Sequence, residues 1–209
     1  MKKVLFLISC FSVGLNAVPK TVFIVRHGEK TEKKEPVRFE QWYFKDSKPL
    51  SVRGWQRAYA LVPYFSMDSA IIEKYGHIKA LFAPKPDNFY KSVRPIQTIT
   101  PLSKALHMDI NSYFALDHNG IPGLVKHIKE AESLHNEVVL IAYEHDHIPD
   151  LLKAFKVKNY LTKWPNNVFD WVVILEFDTR TGECVAYSIQ PQQLLFGDSG
   201  STNVAPTVA

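Results

Sequence analysis

The chain has 209 residues, of which 46% are hydrophobic and 22% are charged, and its formal net charge is +4 at pH 7. That length is enough for one domain with a full hydrophobic core. The small positive balance does not indicate a nucleic-acid-binding protein, which would carry a concentrated basic face, but it is compatible with a local positive pocket for a small anion.

The first 17 residues have the layout of a secretory signal peptide. A positive start, Met1-Lys2-Lys3, precedes an apolar run over residues 4–15 that ends near Ala17. A helix needs about 20 apolar residues to span a bilayer, so we expect no stable membrane insertion. We predict cleavage after Ala17 and a periplasmic or secreted protein. Lipoprotein-like processing at Cys10 and a buried N-terminal strand are the alternatives.

Cleavage would change what the composition implies. The mature chain of 192 residues would have a net charge of +2, and Cys184 would be its only cysteine. No internal disulfide could then form. An exported protein without disulfides fits a bacterial periplasm, where disulfides are permitted but not required.

Apolar, β-branched runs alternate with helical patterns along the rest of the chain. The predicted strands cover residues 21–25, 78–83, 138–143, 171–177 and 184–189. The predicted helices cover residues 51–65, 95–106, 122–134 and 149–155. This alternation is typical of an α/β domain with a largely parallel sheet, to which the last two strands would add an antiparallel edge. We place the domain at residues 18–196 and a flexible, polar C-terminal tail at residues 197–209.

One long segment, residues 28–49, shows no convincing periodicity although it follows a strand directly. Its first part is charged, and its second part carries Phe39, Trp42, Tyr43 and Phe44. Loops of this length are usually functional or mobile. We interpret the segment as a lid or a pocket wall, with simple packing of the aromatic rings as the alternative.

The first predicted strand ends in Arg26-His27-Gly28-Glu29. Ligands of open α/β sheets bind just beyond the carboxyl ends of the strands. A histidine that is neutral near pH 7 can act as a nucleophile, an arginine fits phosphate through paired N–H donors, and Gly28 allows a sharp turn. A core histidine beside an arginine in a salt bridge would explain the same residues.

Two later segments bring similar side chains to the same region. Arg94 precedes Pro95, which suits the first position of a helix, and a helix N-terminus favours anions. His145 follows the third predicted strand, at the same edge of the sheet as His27. A solvated arginine and a structural histidine are the simpler interpretations, but two histidines and two arginines on one rim favour an anion site.

A metal site is another interpretation of the run Glu144-His145-Asp146-His147. Successive residues of an extended segment point to opposite faces, so at most alternate members could share one ion. We therefore predict neither a metal nor another cofactor.

Together, these motifs resemble those of the histidine phosphatase superfamily, which has the phosphoglycerate mutase-like fold. The signature Arg-His-Gly is present as Arg26-His27-Gly28. The other motifs match, in the family order, residues 50–58 (a Leu-Ser-x-x-Gly-Trp-Gln-x-Ala helix start, one residue shorter than the family pattern), Arg94-x-x-Gln97-Thr98, and His145. The resemblance covers residues 22 to about 155.

The resemblance implies a three-layer α/β sandwich, with helices on both faces of the sheet, and a phosphoryl-transfer site. His27 would attack phosphorus and carry the phosphoryl group as a phosphohistidine, with His145 as the second catalytic histidine. The phosphate-binding set would be Arg26, Gly28, Glu29 and Arg94. No metal would be needed, because the arginines supply the positive charge.

The proton donor is where the sequence departs from the family pattern. Many members of the smaller branch use a glutamate in a Leu-x-Glu segment, but residues 116–120 contain none. The acid-phosphatase branch uses an aspartate directly after the second histidine, which is Asp146 here. We predict Asp146 as the donor, with Glu29, Glu144 and Asp117 as alternatives.

The expected function is hydrolysis of a phosphate monoester of a small substrate. A phosphomutase and a non-catalytic phosphate-binding protein on the same fold are the alternatives. Residues 28–49 and the insertion at residues 85–93 are expected to select the substrate, whose identity the sequence does not give.

Overall fold

The computed structural model describes residues 18–39, 42–67 and 70–199. The predicted signal peptide, residues 1–17, and most of the predicted tail lie outside the described residues. Within the three described ranges, no helix has both the length and the apolar character needed to cross a membrane.

The described residues form a six-stranded sheet, a separate two-stranded hairpin and five α-helices. In chain order, the strands are β1 (Thr21–Arg26), β2 (Glu35–Phe39), β3 (Trp42–Ser47), β4 (Ile78–Phe82), β5 (Ile110–Asn111), β6 (Val138–Tyr143), β7 (Trp171–Phe177) and β8 (Cys184–Pro191). The helices are α1 (Val52–Ser66), α2 (Ala70–Tyr75), α3 (Arg94–Leu106), α4 (Gly120–Glu130) and α5 (Ile148–Ala154).

The order of strands in the sheet is β5-β4-β6-β1-β7-β8. The first four of these run parallel, whereas β7 is antiparallel to β1 and β8 is antiparallel to β7. The prediction of a mostly parallel sheet with an antiparallel edge is confirmed. Every residue of β1 and β6 is buried, which explains why both strands read as unbroken apolar runs.

Successive side chains of β1 point to opposite faces of the sheet, and each face packs on its own helices. Val22 and Ile24 lie in a cluster with apolar residues of α4 and α5. Phe23 and Val25 lie in a second cluster with apolar residues of α1, α2 and α3. Helices therefore cover both faces, as the predicted three-layer sandwich requires.

The predicted helices are confirmed with small shifts of their ends. Ser51 caps α1, because its side chain accepts a hydrogen bond from the Gly54 N–H at 3.1 Å. The predicted helix over residues 122–134 begins at Gly120 and ends at Glu130, and a separate 3-10 turn follows at Glu132–Leu134.

Three short elements escape the sequence prediction. The irregular segment 28–49 contains the β2–β3 hairpin, whose pattern is hidden because β2 is largely exposed and its register shifts between Glu35 and Val37. The helix α2 has six residues and β5 has two, which is too short for periodicity to be visible.

The predicted tail begins too early. The Asp198 carboxylate accepts hydrogen bonds from Arg57 and from the backbone N–H groups of Leu194 and Leu195. The Ser199 hydroxyl and backbone N–H donate to the Asp170 carboxylate. Polar partners at these two positions stabilise the folded state, so residues 198 and 199 belong to the domain.

The sheet brings two sequence-distant turns together at one edge. The last residues of β1 and β6, Arg26 and Tyr143, lie opposite each other in the parallel ladder. Directly beyond it, the His27 N–H donates to the Tyr143 carbonyl at 3.0 Å. His27 and Glu144 therefore leave the sheet side by side.

Candidate active site

The ring of His27 is buried and held in one orientation. The residue is 1% exposed, and its Nδ1 lies 2.7 Å from the Gly28 carbonyl oxygen. Because a carbonyl can only accept, Nδ1 carries a proton and Nε2 is the nitrogen that faces the site. Burial lowers the pKa of His27, and the positive charge of Arg94 acts in the same direction. The hydrogen bond with Glu144 opposes that shift without reversing it.

Four polar groups surround the carboxylate of Glu144, which is the centre of the site. Its Oε2 lies 3.0 Å from His27 Nε2, and its Oε1 lies 2.7 Å from His145 Nδ1. The contact with His27 needs a proton on Nε2, so the lone pair of Nε2 is not free in this arrangement. The Tyr90 hydroxyl and Arg94 Nη2 donate to Oε2 at 3.3 and 3.5 Å. Burial alone would raise the pKa of Glu144, but its hydrogen bond with His27 and the charges of His27 and Arg94 hold that pKa far below its usual range.

Arg94 stands at the first turn of α3, as predicted. Its Nη1 donates to the Lys48 carbonyl at 2.8 Å, which fixes the side chain. Its Nε lies 3.4 Å from His27 Nε2. The guanidinium therefore contacts both the proposed nucleophile and the anion beside it.

The other residues of the Arg94 motif hold the turn after β1 in place. The Thr98 hydroxyl accepts from the Gly28 N–H at 2.8 Å and donates to the Arg94 carbonyl at 2.7 Å. The Gln97 side-chain oxygen accepts from the Leu50 N–H at 3.0 Å. Both side chains act on the backbone around the site, so they position it.

Gly28 and Gly54 allow α1 to approach the turn closely. A Cβ at Gly28 would lie 2.9 Å from the Gly54 carbonyl oxygen, and a Cβ at Gly54 would lie 2.3 Å from the Glu29 carbonyl oxygen. Backbone atoms cannot move away from such a contact cheaply, so a side chain at either position would push the turn out of place. The close packing of two backbone segments therefore explains why residue 28 is a glycine.

Arg26 lies apart from the donors around Glu144. Its Nη1 donates to the carbonyls of Pro165, Asn166 and Val168 at 3.2, 2.8 and 2.7 Å, and its guanidinium stacks on Phe169 at 3.7 Å. Burial lowers the pKa of Arg26 to about 10, so it stays charged at neutral pH. These contacts give Arg26 a role in anchoring residues 165–169, and a direct contact with phosphate stays a prediction.

The Glu29 carboxylate is held by two arginines outside the group of side chains around Glu144. The carboxylate pairs with Arg57 at 2.7 Å and with Arg53 at 3.1 Å. Asp198 pairs with the same two arginines at 2.8 and 3.1 Å. The prediction that Glu29 binds phosphate gains no support from these contacts, since an acidic group already neutralised by two arginines is held for structural reasons.

The ion pairs of Arg57 with Glu29 and Asp198 are expected to stabilise the folded state. Arg57→Ala should lower the free energy of unfolding by about 3–5 kcal/mol, because it leaves two largely buried carboxylates without their buried counter-ion. Arg53 pairs with the same carboxylates but its side chain is 43% exposed, so Arg53→Ala should cost less than about 1 kcal/mol. Urea denaturation of both variants measures the difference, and equal losses would contradict this interpretation.

The acidic candidates for proton donor have different surroundings. The Asp146 side chain is 72% exposed, and its Oδ1 lies 3.4 Å from His145 Nε2. Asp117 accepts from the Asn119 and Gly120 N–H groups at the start of α4, which lowers its pKa. Asp117 therefore holds the turn that leads into α4, whereas Asp146 stands beside the second histidine.

The sequence prediction misses Tyr90 and the central place of Glu144. Tyr90 lies in the insertion at residues 85–93, where nothing in the pattern identifies which side chain turns inward. Burial raises the pKa of Tyr90, and the nearby charge of Glu144 raises it further, so its hydroxyl stays a donor. Glu144 stands next to His145, but only the fold shows that it reaches His27.

The cluster of His27, Glu144 and His145 also has donor atoms suited to a metal ion. One atom from each residue lies within 4.8 Å of the others. The Arg94 guanidinium, however, stands 3.4 Å from His27 Nε2 and 3.5 Å from Glu144 Oε2. A permanent positive charge at that distance repels a cation and attracts an anion.

No protein-family model matches the sequence, and no curated protein matches it. Among solved structures, the chain is similar to a protein assigned as the phosphohistidine phosphatase SixA from Agrobacterium tumefaciens, with 12% identity, a TM-score of 0.41, and coverage of 81% of this chain and 97% of that one. It is also similar to phosphoglycerate mutase from Bacillus anthracis str. Sterne, with 13% identity, a TM-score of 0.49, and coverage of 86% and 94%. At these identities and TM-scores the two likenesses decide nothing about the site, whose chemistry rests on this chain's own side chains.

Proposed function

We propose that this chain hydrolyses a phosphate monoester through a phosphohistidine on His27. The observation that supports this most strongly is the single anion position beside His27 Nε2, where the donors of Arg94, His145 and Tyr90 converge on one carboxylate. A phosphoryl group offers more oxygens and about −1.5 to −2 charges, so the same donors suit it better than a carboxylate. The motif resemblance to the histidine phosphatase superfamily supports the same assignment.

In the first step of this reaction, His27 acts as a neutral imidazole. The bond from Nδ1–H to the Gly28 carbonyl makes Nε2 the nitrogen that carries the lone pair once its contact with Glu144 is broken, and burial favours the uncharged ring by lowering its pKa. Nε2 attacks phosphorus, the bond from phosphorus to the leaving oxygen breaks, and that oxygen takes a proton from a carboxylic acid. Water then attacks the phosphohistidine, which releases inorganic phosphate and restores Nε2.

The protein contributes fixed positive charge to both steps. The Arg94 guanidinium is held by the Lys48 carbonyl before any substrate binds, so it does not have to reorganise as charge develops on the phosphoryl oxygens. His145 is the second donor.

Asp146 is the proposed proton donor, because its carboxylate is beside His145 and open to solvent. Asp146→Asn should lower kcat about 10²-fold for alkyl phosphates, whose leaving oxygens need a proton, and much less for p-nitrophenyl phosphate. A plot of rate against the pKa of the leaving group tests this, with the exposed Asp150→Asn on α5 as control. A slope that stays the same in Asp146→Asn would move the role to another acid.

We propose that no metal takes part, because Arg94 supplies the charge that a cation would otherwise provide. Hydrolysis should continue in EDTA at the rate seen without it. A loss of activity in EDTA that zinc restores would instead support a metal on His27, Glu144 and His145.

A non-catalytic phosphate-binding protein is the second candidate, since both ring nitrogens of His27 are engaged in the structure. The two functions differ in covalent chemistry. A screen of sugar phosphates, nucleotides, phytate and phosphoproteins against the wild type and His27→Ala would separate them. Release of phosphate by the wild type alone supports the enzyme, and equal release by both variants excludes His27 as the nucleophile.

The substrate is expected to contact the β2–β3 hairpin and the insertion at residues 85–93. The hairpin segment supplies the Lys48 carbonyl that holds Arg94, and the insertion supplies Tyr90. We also propose that the chain is exported, since residues 1–17 have the layout of a signal peptide. Sequencing the N-terminus of the mature protein tests this, and a chain that retains Met1 would contradict it.

A further inference from the structure

Both ring nitrogens of His27 are in use. Nδ1 bonds to the Gly28 carbonyl at 2.7 Å, and Nε2 lies 3.0 Å from Glu144 Oε2. A histidine nucleophile needs one ring nitrogen with a lone pair facing the electrophile. Gly28 is part of the backbone turn, so its carbonyl cannot leave. The contact that has to break before chemistry is therefore the one with Glu144.

The partners of the Glu144 carboxylate are the groups that the proposed function assigns to phosphate. His27, His145, Arg94 and Tyr90 all converge on its two oxygens. Two anions at one position would repel each other and compete for the same N–H and O–H donors. Phosphate and the Glu144 carboxylate therefore exclude each other.

The Glu144 side chain can leave without moving its backbone. The Glu144 carbonyl accepts from the His147 N–H at 3.0 Å and from the Ile148 N–H at 3.1 Å, which fixes the main chain at the start of α5. The carboxylate itself is 13% exposed and lies at the end of a flexible chain of methylene groups. Because the backbone is fixed, the carboxylate can leave the anion position only by rotation about its own side-chain bonds.

We propose that Glu144 is an internal ligand of the phosphate position, which the phosphoryl group of the substrate displaces. This rests on the proposed function, because it assumes that phosphate binds where the carboxylate lies. Displacement makes binding selective, since an incoming anion has to be held better than a carboxylate that is already part of the protein. A phosphate dianion meets that condition through its second charge, whereas simple carboxylates do not.

Inorganic phosphate is the probe that tests displacement, measured by isothermal titration on the full chain. Glu144→Gln keeps the size of the side chain and removes its charge. If the displaced state is a tenth or less of the wild-type population, the variant should bind phosphate about tenfold more tightly or better. Asp150→Asn, which removes the same charge at an exposed position on α5 without freeing the anion position, should change the affinity much less.

A thermal-shift measurement keeps the test valid if the variant is less stable. Removal of Glu144 leaves His27, Arg94 and His145 without their counter-ion, so phosphate should raise the Tm of Glu144→Gln more than it raises the Tm of the wild type. Affinity that is unchanged or weaker in Glu144→Gln, an equal gain in Asp150→Asn, or no phosphate binding by either protein would each overturn the displacement proposal.

The same data separate this inference from the proposed function. If the wild type hydrolyses no monoester but Glu144→Gln binds phosphate more tightly, the displacement proposal stands and the proposed enzymatic function fails. If the wild type hydrolyses monoesters through His27 but Glu144→Gln shows no gain in phosphate affinity, the proposed enzymatic function stands and the displacement proposal fails.

Discussion

Replacement of His27 by alanine should reduce kcat by about 10⁴-fold or more, because the reaction loses its nucleophile. The His27 ring is oriented by the Gly28 carbonyl, and its Nε2 faces the position of the Glu144 carboxylate, where phosphate would bind. Steady-state hydrolysis of p-nitrophenyl phosphate measures the loss. Its good leaving group makes the result independent of the identity of the proton donor.

His147→Ala is the matched control for this loss. His147 lies in the turn that follows β6, close to His145 in sequence, and its ring pairs with Asp150 on α5. The control should keep near-wild-type activity, and circular dichroism should show that both variants fold. Near-native turnover by a folded His27→Ala protein would end the proposal of a phosphohistidine.

Arg94→Ala should lower kcat/KM by about 10³-fold, through weaker phosphate binding and a slower chemical step together. The loss should be large because Arg94 is the one guanidinium, among the described residues, that contacts both His27 and Glu144. Substrate-concentration curves separate the two effects. A rise in KM with kcat unchanged would mean that Arg94 binds the substrate without stabilising the transition state further.

Arg94→Lys distinguishes charge from geometry. A lysine restores the positive charge but not the forked donor that reaches the Lys48 carbonyl with one nitrogen and the anion position with another. We therefore expect only partial recovery of kcat. Full recovery by lysine would show that a point charge is enough, and it would contradict the geometric role assigned to the guanidinium.

The sequence predicts the core of the fold well because burial leaves a strong pattern. β1 and β6 lie at the centre of the sheet and are mostly apolar in sequence, and Ser51 marks the start of α1 as its N-cap. The β2–β3 hairpin is missed since its exposed first strand carries no such pattern. The tail boundary is misplaced because the partners of Asp198 and Ser199, Arg57 and Asp170, are distant in sequence.

The candidate site is predicted in part for a similar reason. Strand ends place His27 and Glu144-His145 at one edge of the sheet, and the proline after Arg94 places that arginine at a helix start. The sequence pattern does not show in which direction each side chain points. Arg26 turns to the carbonyls of residues 165–168, and Glu29 turns to Arg57. Only the three-dimensional arrangement shows that Glu144 lies between the two histidines.

The most direct test of the central claim is to look for the phosphoryl group on His27. The wild-type chain would be mixed with a rapidly hydrolysed monoester labelled at phosphorus, quenched in alkali and digested for mass spectrometry. We expect an alkali-stable, acid-labile phosphoryl group on the peptide that contains His27, and its absence from the His27→Ala protein treated alike. Turnover with no phosphorylated peptide, or with the label on another residue, would contradict it.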